Sequence, residues 1–207
     1  MEKIILASSN EHKVEEIRKM FSDFEVLSLN DIGFEGEIVE DGSTFLENST
    51  IKVKAVEEFL NKKGKNNDCY IIADDSGLCV DELNGAPGIY SARFGGDHDF
   101  AKNRKKLLEE LEGKQNRNAH FECCITLIEP NGKLSYFEGK CPGTILTEEV
   151  GDKSFGYNCL FVSTELGKCF GLATTDERNQ VSHRGKAIEK LKNYLSKLWW
   201  YLLRFVY

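Results

Sequence analysis

Asp74-Asp75-Ser76-Gly77 sets two adjacent carboxylates directly after the apolar run Cys69 to Ala73. A run that short reads as a strand buried on both faces, ending at the acidic pair. Carboxylates at the tip of a buried strand are costly unless they hold a cation or take a proton, and oxygen donors of this kind suit Mg2+. Neighbouring strand residues face opposite ways, so one of the pair can serve a site while the other does not. The same four residues also suit a solvated turn with an Asx cap. Glu40, in the acidic loop Phe34 to Gly42, can place another carboxylate beside the same cation or simply belong to a solvated loop.

Three further stretches carry usable chemistry. Ser8, Ser9 and Asn10 lie between an apolar run and a helical pattern, with Lys13 one turn in. Free N–H groups and the helix dipole there favour an anion, which makes a phosphate cradle; the plainer alternative is ordinary helix capping. Phe155-Gly156-Tyr157-Asn158 puts two aromatics and an amide around a glycine, suiting either stacking on a flat base or a hydrophobic turn. Arg178 with Ser182, His183 and Arg184 gathers cations and donors just before the last helical pattern, fitting a general-base histidine or a polar helix start. There is no GxxxxGK[ST] loop, no GxGxxG after a strand, no GxSxG elbow and no HExxH.

The elements that must position these residues follow from periodicity. Lys3 to Ala7 reads as a strand, and Val14, Ile17, Met20 and Phe21 recur at helical spacing. Phe24 to Leu29 is a second strand. Thr44, three residues before Glu47, predicts a capping box opening a helix with Phe45, Val53, Val56, Phe59 and Leu60 among its apolar positions. Asn61 to Asp68 reads as a surface connection, and Asp97 to Glu112 as a helix. Phe121 to Ile128 and Leu134 to Gly139 read as a hairpin whose Asn131-Gly132 supplies positive φ. Short strands are expected near Thr144 to Leu146 and Leu160 to Val162, and a last helix from about Arg184 to Leu198.

The 207 residues, with 27 Lys+Arg against 34 Asp+Glu and 41% apolar, fit one globular domain. The net charge of −7 lacks the basic footprint of a protein that grips a polymeric nucleic acid. Seven cysteines, odd in number and without a CxxC spacing, read as reduced thiols of a cytoplasmic protein, and the N-terminus shows no secretion signal. The aromatic tail 198–207 is shorter than the roughly 20 residues a membrane span needs, so stable membrane insertion is not expected. Packing on the protein's own surface or at a subunit interface is the simplest role for it, with transient membrane contact as the alternative.

Taken in order, Ala7-Ser-Ser-Asn-Glu-His-Lys13, Glu40-Asp-Gly-Ser-Thr-Phe-Leu-Glu-Asn48, Ala73-Asp-Asp-Ser-Gly-Leu78, Gly85-Ala-Pro-Gly-Ile-Tyr-Ser-Ala-Arg93, Phe155-Gly-Tyr157 and Ser182-His-Arg-Gly185 resemble the inosine triphosphate pyrophosphatase family. The resemblance reaches to about Leu195. It implies an α/β fold with an elongated mixed β-sheet flanked by helices, one domain over 1–197 with two lobes and a central active-site cleft, and a homodimer. It implies hydrolysis of ITP, dITP or XTP to the nucleoside monophosphate and pyrophosphate with magnesium. By this likeness Asp75 is the general base and, with Glu40, a metal ligand, and Asp74 is a supporting carboxylate. Ser8, Ser9, Asn10, Lys13, Lys52 and Ser76 hold the triphosphate. Phe155 stacks on the purine, while Gly156, Tyr157, Asn158, Arg178, Ser182, His183 and Arg184 shape the base pocket.

Two positions depart from the family pattern. Asn158 stands where the family usually has aspartate, and Arg178 where it commonly has lysine. The first keeps alive a related pyrophosphatase with a different base preference; a nucleotide sensor without hydrolysis is the alternative from another class.

Overall fold

A computed structural model of the chain describes residues 2–64 and 69–204. Strands β1 (Lys3–Leu6), β2 (Glu25–Leu27), β3 (Tyr70–Val80), β4 (Asn118–Ile128), β5 (Leu134–Ile145) and β6 (Phe161–Ser163) form one sheet in the order β2-β1-β3-β4-β5-β6. β1 runs parallel to β2 and β3, pairing Ile4 with Val26 and Ile5 with Ile71, whereas β6 runs antiparallel to β5. The described helices of two turns or so and longer are α1 (Glu11–Met20), α2 (Phe45–Lys62), α3 (Phe100–Glu110), α4 (Thr175–Val181) and α5 (His183–Arg204). The expected α/β fold with a mixed sheet is therefore present.

The chain divides into two compact units, one running to Asp75 and including Cys124–Phe137, the other comprising Ser76–Cys123 and the chain from Glu138 onward. In the first, Ile5, Ile71 and Ala73 of the sheet pack with Val53, Val56 and Leu60 of α2. In the second, Leu78 and Val80 share a core with Leu107, Phe121, Cys141, Phe161 and Phe170. Each such fully buried large side chain stabilises its unit by about 1.5–3 kcal/mol relative to exposure.

Local chemistry explains the helix starts. Asn10 caps α1 by accepting the Lys13 N–H at 3.2 Å, and Val14, Ile17 and Phe21 turn inward at helical spacing. The capping box expected at α2 forms by half. Thr44 Oγ1 accepts the Glu47 N–H at 3.1 Å, but the Glu47 carboxylate reaches back one residue further, to the Ser43 N–H and hydroxyl, both at 2.6 Å. A complete capping box instead opens α4, from Thr174 and Glu177, a helix the sequence pattern did not reveal.

The structure corrects several expected boundaries. β3 does not stop before the acidic pair; it runs through Asp74-Asp75-Ser76-Gly77 to Val80, so the carboxylates lie in mid-strand. The expected strand at Thr144 to Leu146 is the end of β5. In the loop between β4 and β5, Gly132 alone takes a positive φ, +81°, and the Glu129 N–H closes on the Lys133 carbonyl at 2.9 Å, so Asn131 is not needed in that role. α5 begins one residue earlier than expected and continues through Arg204, which makes the backbone of 198–204 part of the helix. The tail side chains beyond Leu198, residues 205–207, and residues 65–68 of the expected surface connection lie outside the description. Among the described residues no helix is long and apolar enough to cross a membrane.

Two glycines set how closely α5 is held within its unit. A Cβ on Gly139 of β5 would overlap the His183 carbonyl oxygen, and one on Gly185 would overlap the Asn179 carbonyl oxygen. The first turn of α5 is thus seated on bare backbone. We expect Gly139→Ala to lower stability by about 1–3 kcal/mol through overpacking. Thermal denaturation reads this as a fall in Tm of several degrees; an unchanged Tm would show that α5 can shift at no cost.

Candidate active site

In the first unit, five of the charged residues singled out from the sequence surround β3. Asp74 and Asp75 are buried, at 3% and 9% exposure. Lys13, from the first turn of α1, meets Asp74 at 3.0 Å. Lys52, from the middle of α2, donates to Glu40 at 3.0 Å and to Asp75 at 3.4 Å. Its ammonium is itself buried, and its two carboxylate partners converge on it. Two charges at this depth need good geometry and further hydrogen bonds to offset desolvation. Asn48 supplies one, donating to Asp75 Oδ2 at 3.1 Å, while its own oxygen accepts the Gly42 N–H at 2.9 Å. One amide thereby ties the Glu40-bearing loop to both α2 and β3. The sequence reading did not assign Asn48 a role, although its place four residues before Lys52 puts both on one helix face.

Electrostatics follow from this packing. Burial pushes the Asp75 carboxyl above the usual carboxylate range, outweighing the pull of Lys52, Lys13 and Asn48. Burial pushes the Lys52 ammonium the other way, but Asp75, Glu40 and Asp74 together overcome it and hold it above its usual value. The result is a charged lysine beside a carboxylate with enhanced proton affinity.

The serine-rich turn is less committed. Asn10 caps α1, as the plainer alternative had it, Ser8 Oγ accepts the Asn10 N–H at 3.2 Å in a local turn, and Ser9 is exposed.

The second unit holds the remaining candidates in separate small groups. Arg184 donates to the Ser76 hydroxyl at 3.1 Å. Phe155 meets Phe100 edge-on at 5.3 Å, and the Gly156 carbonyl accepts from Arg104 at 3.0 Å. Arg104, buried and paired with Glu149 at 2.7 Å, is the unforeseen anchor of the Phe155-Gly156-Tyr157 turn. Glu149 is held below the usual glutamate range by Arg104 and Lys153. Tyr157 is buried and gives its hydroxyl to the Ser91 carbonyl at 2.9 Å, and burial pushes its phenol well up. Asn158 is partly exposed and its carbonyl accepts from the Cys169 thiol at 3.3 Å. His183 lies parallel to Phe121, ring centres 4.9 Å apart. Arg178 directs its guanidinium to the Phe170 and Ala173 carbonyls and the Thr175 hydroxyl, a buttressing pattern within the unit. Ser182 Oγ accepts the Gly185 N–H at 3.0 Å, capping α5.

A model of the Ham1 family matches residues 4–194. The chain belongs to the Ham1 family. Relatives include a Clostridium perfringens protein named dITP/XTP pyrophosphatase, 48% identical over 200 residues, covering 94% of this chain and 98% of its own length. A Listeria innocua protein of the same name is 42% identical, covering 96% and 97%. Among solved structures, the Ham1 protein of Staphylococcus aureus superposes with a TM-score of 0.84 at 35% identity, over 95% of this chain and 99% of that one. A HAM1 protein from Coxiella burnetii gives 0.81 at 32%, over 95% and 100%. The family resemblance read from six short motifs is borne out over nearly the whole chain.

The Lys52 cluster makes a two-part prediction. Lys52→Met strands Asp75 and Glu40 beside an apolar side chain, and breaking a buried pair in this way costs about 3–5 kcal/mol. Without Lys52 the folded-state pKa of Asp75 rises further, so below it the folded chain holds a proton that the unfolded chain releases. Stability of the variant therefore falls as pH rises through that window and is regained on acidification. Urea denaturation at pH 5 and pH 8 checks this: the deficit against the parent protein is expected to be larger at pH 8, and an equal deficit would contradict it.

Proposed function

We propose that this chain hydrolyses dITP, ITP and XTP to the nucleoside monophosphate and pyrophosphate, removing non-standard purine nucleotides from the pool. The observation that carries the reading is the buried Lys52–Asp75 pair joined by the part-exposed Glu40, with Lys13 of α1 paired to Asp74 on the same strand as Asp75. The names of the Clostridium and Listeria relatives support the substrate class.

In the proposed reaction a water oxygen attacks the α-phosphorus while Asp75 takes the water's proton. The bond from the α-phosphorus to the bridging oxygen breaks, and pyrophosphate leaves with that oxygen. The raised proton affinity of Asp75 favours this base role at neutral pH. Lys13 and Lys52 offset charge on the departing pyrophosphate, and Ser8, Ser9, Asn10 and Ser76 add phosphate contacts.

Magnesium is the proposed cofactor, and the residues fit it. Glu40 and Asp75 already direct oxygens at one cation, the Lys52 ammonium, and an all-oxygen donor set is what magnesium takes. When bound, the metal polarises phosphoryl oxygens as a Lewis acid. Asp74 is held by Lys13 and supports the pair.

For the base, Phe155 supplies the stacking face, with Gly156, Tyr157, Ser182 and Arg178 shaping the surrounding backbone. His183 and Arg184 supply donors suited to the 6-carbonyl of hypoxanthine and xanthine, a group adenine lacks. Asn158, in place of an aspartate, removes a negative charge there and exchanges an acceptor oxygen for a donor, which bears on base preference. A homodimer in the cytoplasm, acting on free nucleotides, completes the proposal on the strength of the family resemblance.

A panel of ITP, dITP, XTP, GTP, ATP and dUTP, with and without magnesium, tests it by pyrophosphate release and product identification. Magnesium-dependent turnover of dITP and XTP at least tenfold above GTP and ATP in kcat/KM is expected, with monophosphate as co-product. Preferred turnover of another base would move the specificity to the Asn158 reading; release of orthophosphate, or tight binding without turnover, would overturn the reaction.

A further inference from the structure

A second donor cluster lies outside the set described above. The Cys79 thiol, a His120 ring nitrogen and a Glu122 carboxylate oxygen all lie within 4.8 Å of one another. The fold explains why they meet. His120 and Glu122 are two apart on β4 and so share a face, and Cys79 comes from β3, the neighbouring strand. His120 Nε2 and Glu122 Oε2 stand 3.4 Å apart. Two ligands bonded at about 2.0–2.1 Å in tetrahedral geometry are separated by about 3.3–3.4 Å, so this edge of a zinc polyhedron is already at its working length. The thiol lies within 4.8 Å of both, and a zinc-bound thiolate stands about 3.5 Å from a neighbouring ligand, so it closes by at most about 1.3 Å to reach the same sphere. The cluster is partly accessible: His120 and Glu122 keep 31% and 20% side-chain exposure.

We propose that Cys79, His120 and Glu122 bind one zinc-class divalent cation. The mixed sulfur, nitrogen and oxygen donors select a borderline-soft ion and disfavour magnesium, which takes oxygen alone. Three protein ligands leave a fourth position for water or another donor. Lys140, on β5, pairs with Glu122 at 2.9 Å but is 56% exposed, so its ammonium can swing into solvent when the cation enters. The site is separate in composition from Glu40 and Asp75, and it does not depend on the proposed hydrolysis. Its bound ion clips β3 to β4, adding stability by mass action because the unfolded chain does not assemble the three donors.

The test is equilibrium dialysis of the reduced, full-length protein against micromolar ZnCl2 in excess MgCl2, read by elemental analysis, with the Co2+ form examined for a thiolate charge-transfer band. The expected result is one zinc per chain, a cobalt–thiolate band, and a zinc-dependent rise in Tm. Cys79→Ser is expected to abolish the band, and His120→Gln, at a partly exposed position outside the buried core, to weaken zinc uptake at least tenfold. Asp75→Asn is expected to keep full zinc uptake. Absence of stoichiometric zinc in the parent protein, or undiminished uptake in His120→Gln, would overturn the proposal, as would loss of uptake in Asp75→Asn.

Discussion

A single buried ammonium, Lys52, decides how the acidic strand can exist. β3 carries Asp74 and Asp75 through a unit interior, where an uncompensated carboxylate is worth several kcal/mol of destabilisation. Lys52 reaches in from α2 to neutralise Asp75 and Glu40 together, and Lys13 reaches from α1 to Asp74. The apolar faces of the same two helices are buried at Val14, Ile17, Val53 and Val56, the last two against Ile5, Ile71 and Ala73 of the sheet. The packing that builds the unit is thus the packing that aims the cations. Asn48 completes the arrangement by fixing Asp75 and the loop bearing Glu40 at once.

The second unit uses its buried charge differently. Arg104 and Glu149 serve no substrate in the proposed chemistry; they hold the Gly156 carbonyl and with it the turn that presents Phe155. Tyr157 gives its hydroxyl to Ser91, and Arg178 binds three acceptors of its own unit. Several residues of the proposed base pocket are therefore positioned by contacts that also stabilise the fold. His183 and Arg184 owe their placement to two glycines, Gly139 and Gly185, at which any side chain would collide with backbone.

Much of this was legible in the sequence because helix periodicity and short apolar runs are local signals. α1 and α2 lie where their spacing and caps put them, α3 starts three residues later than expected, at Phe100, and the charged residues around β3 followed from the motifs and, for Lys52, from the family resemblance. What failed locally failed for a non-local reason. Asp-Asp-Ser-Gly has the composition of a turn, yet β3 continues through it because Lys13 and Lys52, over 20 residues upstream or more, offset the charges. Nothing near residue 74 announces that. Arg104 was hidden likewise: it reads as one more charge on a surface helix, and only contact with Glu149 and Gly156 gives it a purpose. The short α4 carries too little apolar periodicity to stand out, although its Thr174–Glu177 capping box was a signal that was there to be read.

In the proposed hydrolysis Asp75 does chemistry which Lys52 makes possible, rather than serving only to hold the fold or the nucleotide. Asp75→Asn keeps the size of the side chain and its capacity to accept from Asn48 while removing the base. Single-turnover hydrolysis of dITP, measured beside the nucleotide's Kd, separates the two roles. The expected result is a fall of at least ~100-fold in the chemical step with Kd changed less than tenfold. A chemical step at the parent rate would contradict it.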